Sequence, residues 1–309
     1  MKIFDKNGEQ FYIEKPTAVT VGNFDGVHLG HQSILSDLIR LSKENNLCSV
    51  VYTFLDHPLN VLKGEGSIAS ITNMKEKQEL FQNCGVDILY LEDFQSIKDL
   101  EPEQFVKEIL MDKLHVKLAV MGENNRFGKN GAGDFKRLKT LGEKYGFSVH
   151  VTKDVMRDGE LCSSTQIRNR LKRGDVKGAN VMLGRAFSIR GTVVSGKHLG
   201  RTYGFPTVNL DVTQNMLLPA DGVYATNVVY KGTTYKAITN VGKTSFDKIE
   251  MRNIETHILG FDSNIYGEEI EVKFLDKMRG FIPFSNLDEL KNQLEKDKEE
   301  RMKYTEGQL

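Results

Sequence analysis

Two histidines on a glycine-rich loop are the side chains best suited to chemistry in the first half of the chain. His28 and His31 lie three positions apart within residues 22–32. The loop follows an apolar run typical of a strand, residues 18–22, and precedes an amphipathic stretch typical of a helix. A turn of this kind offers backbone N–H groups and the positive end of a helix to an anion. The loop therefore predicts a site for the phosphates of a nucleoside triphosphate.

Three interpretations of the histidine pair fit the residues alone. A zinc site would need a third Cys, His or carboxylate at a matching spacing, and the sequence offers none near the pair. A purely structural role is the second interpretation. We favour the third, in which the imidazoles stabilise charge on a phosphate under attack, as phosphoryl and nucleotidyl transfer require.

A second segment has the same chemical character. Ser163, Ser164 and Thr165 come directly before a predicted helix at 166–172, and Arg168 lies within its first turn. Hydroxyls at a helix N-terminus cap it and can bind phosphate oxygens, and a guanidinium can bind a phosphate through two hydrogen bonds. The alternative is plain N-capping with a surface arginine.

The second half contains a third candidate site. A basic glycine-rich loop at 196–201 includes Gly196, Lys197 and Gly200, and its backbone can approach phosphates closely. Thr207 and Asn209 follow on a strand-like run, where side chains two positions apart share a face. A hydroxyl and an amide oxygen suit Mg²⁺ together with a nucleotide phosphate and water. The alternative is a hairpin loop followed by the polar face of a strand.

The elements of the first half predict a parallel sheet covered by helices on both faces, because short apolar strands alternate with helical patterns. Ligands of such folds bind at the carboxyl ends of the strands, where the histidine loop lies. The predicted strands are 18–22, 49–54, 86–91, 117–122 and 147–152, and the predicted helices are 31–45, 74–83, 102–114 and 135–145.

The pattern changes near residue 184 to short strands separated by turns, which predicts a small antiparallel barrel or sandwich. A helix closes the chain after Ser285, with Asp288 placed as in a capping box. The fold class is therefore α/β followed by β, with domains at 1–184 and 185–309. The predicted strands are 186–194, 205–210, 222–230, 234–241, 254–261 and 269–275, and the apolar stripe of the helix is Leu287, Leu290 and Leu294.

Composition places the chain among ordinary globular proteins. Its 309 residues include 42 Lys plus Arg and 42 Asp plus Glu, so the formal net charge is zero. No basic field points to nucleic acid or to an anionic membrane surface. Cys48, Cys84 and Cys162 are scattered without ligand spacing, and no segment is typical of a signal peptide or membrane span. A cytoplasmic location without nucleic-acid or membrane partners is expected.

These motifs together resemble the prokaryotic bifunctional riboflavin kinase/FAD synthetase family. Residues 22–31 and 163–168 are similar to its FMN adenylyltransferase half, which is a Rossmann-like nucleotidyltransferase, and residues 53–58 and 126–129 fit that half too. The resemblance implies that an FMN phosphate attacks the α-phosphorus of ATP without a covalent enzyme intermediate. Implied contacts to ATP phosphates are Gly22, Asn23, Phe24, Asp25, His28, His31, Ser163, Ser164, Thr165 and Arg168, and implied flavin contacts are His57, Asn124 and Arg126.

The second half resembles the riboflavin kinase module of the same family through segments 222–225, 240–242, 255–259 and 266–267. The resemblance implies that Glu255 is the general base that takes the proton of the riboflavin 5′-hydroxyl. It also implies that Thr207 and Asn209 bind the metal and phosphate. Implied nucleotide contacts are Gly196, Lys197, Gly200 and Thr207, and implied flavin contacts are Asn240 and Arg279.

Three departures from the family pattern are visible. Asn124-Asn125 stands where an aromatic residue usually precedes the Arg126-Phe127-Gly128 run, and Asp56 replaces a proline. The segment 240–246 is one residue shorter than usual and lacks a proline. Each departure lies beside an implied flavin contact and not beside the phosphate groups.

The sequence thus predicts an enzyme that makes FMN from riboflavin and FAD from FMN. Mg²⁺ and ATP as co-substrate are expected, with ADP and pyrophosphate as products and no prosthetic group; self-association is left open. One alternative is a monofunctional descendant, and another is a non-enzymatic flavin-binding regulator. A cytidylyl or pantetheine adenylyltransferase shares the histidine loop but does not explain the second half.

Overall fold

The structure, a computed structural model, describes residues 1–5, 13, 15–195, 205–212, 215–243 and 252–304. The chain divides into two units, Met1–Ser163 and Ser164–Leu309. The predicted phosphate loop at 196–201 lies outside the described residues, as does the end of the shortened segment at 244–246.

The first unit is built on a six-stranded sheet in which every strand pair is parallel. Its strand order is β1-β4-β3-β2-β5-β6. The five strands predicted from the sequence are all present with ends within two residues, and β1 was not predicted. The strands are β1 (Lys2–Asp5), β2 (Thr17–Val21), β3 (Cys48–Phe54), β4 (Ile88–Glu92), β5 (Val116–Gly122) and β6 (Ser148–Thr152).

Both faces of this sheet are buried, as the nearly continuous apolar strands require. Val19 and Tyr52 belong to the core on one face, while Ala18 and Val51 belong to the core on the other. Neighbouring residues of one strand point to opposite faces, so each strand contributes to both cores. The helices that cover the two faces of the sheet are therefore needed for its stability.

Among the described residues, six α-helices accompany this sheet, of which four had been predicted. The predicted helix at 102–114 is an α-helical turn that continues as a π-helical stretch, Val106–Lys113, and a short hairpin of β7 (Met156–Arg157) and β8 (Glu160–Leu161) follows β6. The helices are α1 (Leu29–Glu44), α2 (Pro58–Lys63), α3 (Met74–Cys84), α4 (Phe94–Ile97), α5 (Pro102–Phe105) and α6 (Phe135–Tyr145).

The strand order places the histidine loop at the point where the winding of the sheet reverses. From β2 the chain adds β3 and β4 on one side, and then crosses to add β5 and β6 on the other. A crevice forms at the carboxyl edge between the two strands where this reversal occurs, here β2 and β5. The loop that follows Val21 therefore lies at the expected ligand-binding edge.

The second unit is a closed six-stranded barrel with helices before and after it. The barrel order is β10-β13-β12-β11-β14-β9, closed by pairing of β9 with β10, and the pairs are antiparallel. The strands are β9 (Phe187–Val194), β10 (Val208–Val212), β11 (Gly222–Tyr230), β12 (Thr233–Lys243), β13 (Arg252–Ile258) and β14 (Glu269–Arg279), and the helices are α7 (Ser164–Arg173), α8 (Val176–Leu183) and α9 (Leu287–Lys303).

The barrel interior contains a chain of buried hydroxyls. Thr226, Thr239 and Thr256 are fully buried, and their Oγ1 atoms lie 2.8 and 2.9 Å apart in that order. Each hydroxyl can donate and accept, so the chain satisfies buried polar groups that would otherwise destabilise the core.

Helix α8 is joined to the barrel by one buried amide. Nδ2 of Asn180 donates to the carbonyl of Phe274 at 2.9 Å, and its Oδ1 accepts the N–H of Phe187 at 2.7 Å. Asn180 therefore links α8 to β14 and β9, and this explains why the helix belongs to the barrel unit.

The C-terminal helix α9 is held mainly by charged side chains that share a face with its predicted apolar stripe. Leu287 is 56% exposed and Leu290 and Leu294 are half-buried, whereas Asp297 and Arg301 are each 1% exposed. The Arg301 guanidinium donates to the carbonyls of Thr226 and Ala237 at 2.8–3.0 Å and to Asn227 Oδ1. Buried guanidinium hydrogen bonds thus anchor the helix to the barrel wall.

The capping box of α9 lies one residue later than predicted. Asn286 is the N-cap and accepts the N–H of Glu289 at 2.9 Å, while Glu289 accepts the N–H of Ser285 at 2.9 Å and the Asn286 side-chain amide at 3.1 Å. The prediction used Ser285 and Asp288, and the neighbouring Asn286 and Glu289 satisfy the same rule.

The predicted fold class is confirmed: an α/β unit with a parallel sheet precedes an antiparallel barrel followed by a helix. Within the described part of the chain, no helix has the length and apolar character needed to cross a membrane.

Candidate functional sites

The loop after β2 is a tight turn with several residues in left-handed backbone conformations. Phe24, Gly26 and Val27 have φ values of 51°, 84° and 38°. The ring of Phe24 is buried and lies over Gly22, where an added Cβ would stand 3.1 Å from the ring. Non-glycine residues adopt this conformation only when their surroundings enforce it. The loop is therefore held in one shape by its packing.

The carboxylate of Asp25 provides part of that hold. It is 3% exposed and accepts the backbone N–H of Ile71 at 3.0 Å and of Thr72 at 3.2 Å. Thr72 Oγ1 in turn accepts the N–H of Gly26 at 3.1 Å. These bonds tie the loop to the segment before α3.

His28 and His31 stand side by side at the N-terminus of α1. His28 is the N-cap, and its Nδ1 accepts the N–H of His31 at 3.4 Å. The two rings stack with centroids 3.7 Å apart. Because a backbone N–H can only donate, His28 Nδ1 carries no proton and the neutral ring is protonated at Nε2. The pair thus combines a helix N-terminus with a side-chain donor.

His31 is held as a neutral base. Its Nδ1 is buried and has no hydrogen-bond partner among the described residues. Burial lowers the pKa of His31 well below its ordinary value, and the neighbouring His28 and Lys77 lower it further. A polyphosphate beside the ring would oppose these effects, because it favours the protonated form.

Lys77 is a member of this site that the sequence reasoning missed. It lies on α3, is 6% exposed, and donates from Nζ to the carbonyl of Asn23 at 2.9 Å. Burial lowers the pKa of its amine, and the charge of Asp25 opposes that shift. Its spacing of four residues from the buried Phe81 places it on the inward face of the helix. This spacing was the one feature of the sequence that pointed to Lys77.

The sheet brings three predicted flavin contacts to the same edge as the histidine loop. His57 follows β3 and caps α2, accepting the N–H of Leu59 at 3.1 Å. Asn124 and Arg126 follow β5 and are exposed, and the Asn124 amide donates to Asp154 at 2.5 Å.

Asn125, one of the residues that departs from the family pattern, connects two strand ends. Its amide donates to the carbonyl of Val21 at 3.4 Å, which joins the end of β5 to the end of β2. A side-chain amide can make this bond, whereas the aromatic residue usual in the family cannot. The departure therefore has a local structural role.

The predicted hydroxyl-arginine segment lies where the first unit ends and the second begins. Ser163 is the last residue of the first unit, and Ser164 begins α7. Just before it, the carbonyl of Cys162 lies 3.3 Å from where a Cβ of Gly30 would stand, so the chain passes beside the first turn of α1. Thr165 is exposed and Arg168 is 8% exposed. Joint action of Arg168 with the histidines stays a prediction.

On the barrel, the pairing register brings the predicted kinase residues into one row. Asn209 lies opposite Glu255, Glu255 opposite Asn240, Asn240 opposite Val223, and Val223 opposite Arg279. Side chains of directly opposed residues share a face of the sheet. The predicted metal ligand, base and flavin contact are therefore neighbours across three strands.

This row lies on the outer face of the barrel. Thr256 is buried in the interior, and the adjacent Glu255 points the opposite way because side chains alternate along a strand. Asn209, Asn240 and Glu255 are half-buried, so they are accessible to a ligand.

Thr207, two residues before Asn209, also borders a cavity of about 150 Å³. Aromatic and aliphatic side chains line much of this cavity, with an aspartate, a serine and an asparagine among them. The lining residues are Val193, Pro206, Thr207, Val208, Thr256, Ile258, Phe261, Asp262, Ser263, Asn264, Ile265 and Tyr266.

His257 supports the segment that carries Thr207, and it too was missed from the sequence. Its Nδ1 donates to the carbonyl of Pro206 at 2.7 Å, and its ring meets that of Phe205 edge-on with centroids 5.4 Å apart. Burial lowers the pKa of His257. The neutral ring thus fixes the backbone next to Thr207.

The predicted flavin contact Arg279 is engaged by α9. Its Nε and Nη2 donate to the two carboxylate oxygens of Asp297 at 2.9 and 2.7 Å. Such a two-bond pair fixes the plane of the guanidinium.

Among the described residues, no three His, Cys, Asp or Glu side chains converge as in a metal centre. The zinc interpretation of His28 and His31 therefore has no third ligand in these ranges.

Comparison with known proteins gives independent evidence about the family of this chain. Residues 11–166 match the family described as FAD synthetase, and residues 183–305 match the family described as riboflavin kinase. Proteins named bifunctional riboflavin kinase/FMN adenylyltransferase are similar along most of the chain. The protein of Haemophilus influenzae is 35% identical over 91% of this chain and 92% of its own length. That of Bacillus subtilis is 34% identical over 93% and 92%.

One solved structure covers nearly the whole chain. A crystal structure described as a macrolide-efflux protein from Streptococcus pneumoniae aligns with a TM-score of 0.90 and 30% identity, over 99% of this chain and 100% of that one. The same two-unit fold is therefore present in that protein.

Proposed function

The chain belongs to the family of bifunctional riboflavin kinases/FMN adenylyltransferases, and on this premise we propose how its residues divide between the two reactions. One reaction phosphorylates riboflavin to FMN, and the other adenylylates FMN to FAD, both with ATP. The predicted family and the predicted class, an ATP-dependent transferase of flavin nucleotide biosynthesis, are confirmed.

We assign adenylyl transfer to residues 1–184 and the kinase to residues 185–309. The two family matches, at 11–166 and 183–305, support this division. Helix α7 begins within the end of the first match, α8 ends at the start of the second, and both belong to the barrel unit by their contacts.

In the adenylyl-transfer reaction, an oxygen of the FMN phosphate attacks the α-phosphorus of ATP as the bond to the β-phosphate oxygen breaks and pyrophosphate leaves. His28 and His31 stabilise the growing negative charge, and Ser164, Thr165 and Arg168 bind further phosphate oxygens. The observation that carries this proposal is the stacked imidazole pair at the N-terminus of α1, with Nε2–H of His28 as donor.

The remaining loop residues act by shaping the anion site. Gly22 allows the Phe24 ring to pack over the backbone, and Asp25 binds the amides of Ile71 and Thr72. We propose that these residues support phosphate binding indirectly, by fixing the shape of the loop. Asn23 and Ser163 lie at the borders of the anion site. His57, Asn124 and Arg126 face the FMN from the same sheet edge.

In the kinase reaction, the riboflavin 5′-hydroxyl attacks the γ-phosphorus of ATP and ADP leaves. Glu255 takes the hydroxyl proton, and its neighbours Asn209 and Asn240 hold the phosphate and the flavin. Thr207, two residues before Asn209 and on the same face, binds the phosphates of the nucleotide.

The donor set of Thr207 and Asn209 fits Mg²⁺. Hydroxyl and amide oxygens are hard ligands, and Mg²⁺ keeps several waters and phosphate oxygens as its other ligands. When bound, the ion neutralises phosphate charge as the γ-phosphoryl group is transferred. A cytoplasmic location and self-association stay predictions from the sequence.

One assay tests the division of labour. The full chain is incubated with riboflavin, ATP and Mg²⁺, then separately with FMN, ATP and Mg²⁺, and the flavins are resolved by chromatography. We expect FMN and FAD from riboflavin, and FAD from FMN. If FAD formed from FMN but no product formed from riboflavin, the protein would be a monofunctional adenylyltransferase. Binding of flavin without any product would identify a regulator.

A further inference from the structure

We propose that Lys77 is a further positioning residue for adenylyl transfer: its ammonium holds the loop after β2 through the Asn23 carbonyl and places a buried positive charge beside His31. The proposal rests on the function assigned above to the histidine site. It concerns a residue that lies about 46 positions from His31 in sequence and belongs to a different helix.

The first support is the bond that Lys77 makes. Its Nζ lies 2.9 Å from the Asn23 carbonyl oxygen, which also accepts Thr53 Oγ1 at 3.3 Å. Asn23 directly precedes Phe24, the first residue of the turn in the left-handed conformation. A charged donor strengthens such a bond, and the two donors together fix the peptide that begins the turn.

The second support is the charge that Lys77 buries. An ammonium has three donors, and among the described residues the Asn23 carbonyl is the acceptor recorded for them. Asp25 is the acidic group that faces it, and backbone amides already bind that carboxylate. A buried cation with so little compensation favours binding of an anion nearby.

The third support is the electrostatic effect on the histidines. Beside burial, the neighbouring His28 and the charge of Lys77 both disfavour protonation of His31. An ATP phosphate group beside these three residues would relieve that repulsion. Lys77 therefore both fixes the shape of the loop and favours the binding of an anion there.

The test compares K77M with K77R and with the control K75M. Met is a near-isosteric apolar replacement, and Lys75 is an exposed lysine on the same helix. For each variant we measure kcat and KM for FAD formation from FMN, FMN formation from riboflavin, the midpoint of thermal unfolding, and the pKa of His31 by NMR titration.

We expect K77M to lower kcat/KM for FAD formation by about 100-fold, as removal of one preorganised electrostatic group does. Its kinase activity should be unchanged and its unfolding midpoint unchanged or raised, because Met removes a buried charge. The pKa of His31 should rise. K77R, which keeps the charge, should recover part of the activity, and K75M should match the parent protein.

The proposal is overturned if K77M keeps FAD formation within about twofold of the parent protein, or if its loss of activity follows a loss of folding. An unchanged His31 pKa would overturn the electrostatic part. Failure of the parent protein itself to make FAD from FMN would instead refute the assigned function of the site.

Discussion

Nδ1 of His28 accepts the backbone N–H of His31 at 3.4 Å while the two imidazole rings stack 3.7 Å apart. His28 is therefore both the cap of α1 and the stacking partner of a half-buried, neutral His31. Helix capping and phosphate chemistry are combined in one residue, and substitutions can separate these two roles.

Replacing His28 by Asn should retain the cap and remove the imidazole. Asn is among the best N-cap residues, so the free energy of unfolding should stay close to that of the parent protein, whereas H28A should lower it by about 1 kcal/mol. Both variants should lose about 100- to 1000-fold in FAD formation from FMN. Denaturant titration and flavin chromatography measure the two effects. Full activity in H28N would show that the cap, and not the ring, supports catalysis.

H28A combined with H31A should abolish FAD formation and leave FMN formation from riboflavin intact. The reason is that the kinase residues are expected on the barrel, in the row of Glu255. The same preparation is assayed for both products. A similar loss of both activities in a folded double variant would contradict the assignment of two sites.

Glu255→Gln should show the converse behaviour. The amide cannot take the riboflavin proton, so FMN formation should fall at least about 100-fold, while FAD formation from supplied FMN should be unchanged. Glu269→Gln, which changes an exposed carboxylate on β14, is the matched control. An active E255Q variant would exclude Glu255 as the base.

The residues of the histidine loop lie close together in the sequence, whereas those of the barrel row do not. The cap and glycines of residues 22–32 act within the loop itself, so the sequence contained the relevant spacing. Asn209 and Glu255 become neighbours only through the pairing of β10 with β13, which local periodicity does not specify. Lys77 was missed for the same reason, since its partner Asn23 is distant in sequence.

The helices and strands that were missed are the short ones and those fixed by tertiary contacts. β1 has four residues and pairs with β4 more than eighty positions later. The attachment of α9 follows from carbonyls on the barrel wall that receive Arg301, and counting leucines on the same helix face does not reveal these partners. Propensity and periodicity carry no information about such distant partners.

The stability of the ligand-free protein should increase with pH through the range around 6.5. His31 and His257 both have native pKa values lowered by burial, so the unfolded chain binds more protons than the native one just below the ordinary histidine pKa. Stability is then lost as pH falls below about 6.5 and is present above it. Urea titrations at several pH values measure the slope, and H31Q should reduce it. An unchanged slope in H31Q would contradict a lowered His31 pKa.

Breaking the pair of Asp297 and Arg279 should destabilise the barrel unit strongly. Asp297 is 1% exposed and binds the guanidinium through two bonds of 2.9 and 2.7 Å. Asp297→Ala leaves Arg279 without this partner, and because that guanidinium is partly exposed the cost should be about 1–3 kcal/mol. Denaturant unfolding measures the loss, with E299A on the exposed face of α9 as control. Because Arg279 lies on the row of Glu255, KM for riboflavin should rise while KM for FMN in adenylyl transfer stays unchanged. Equal stability of D297A and E299A would show that the pair does not hold the helix.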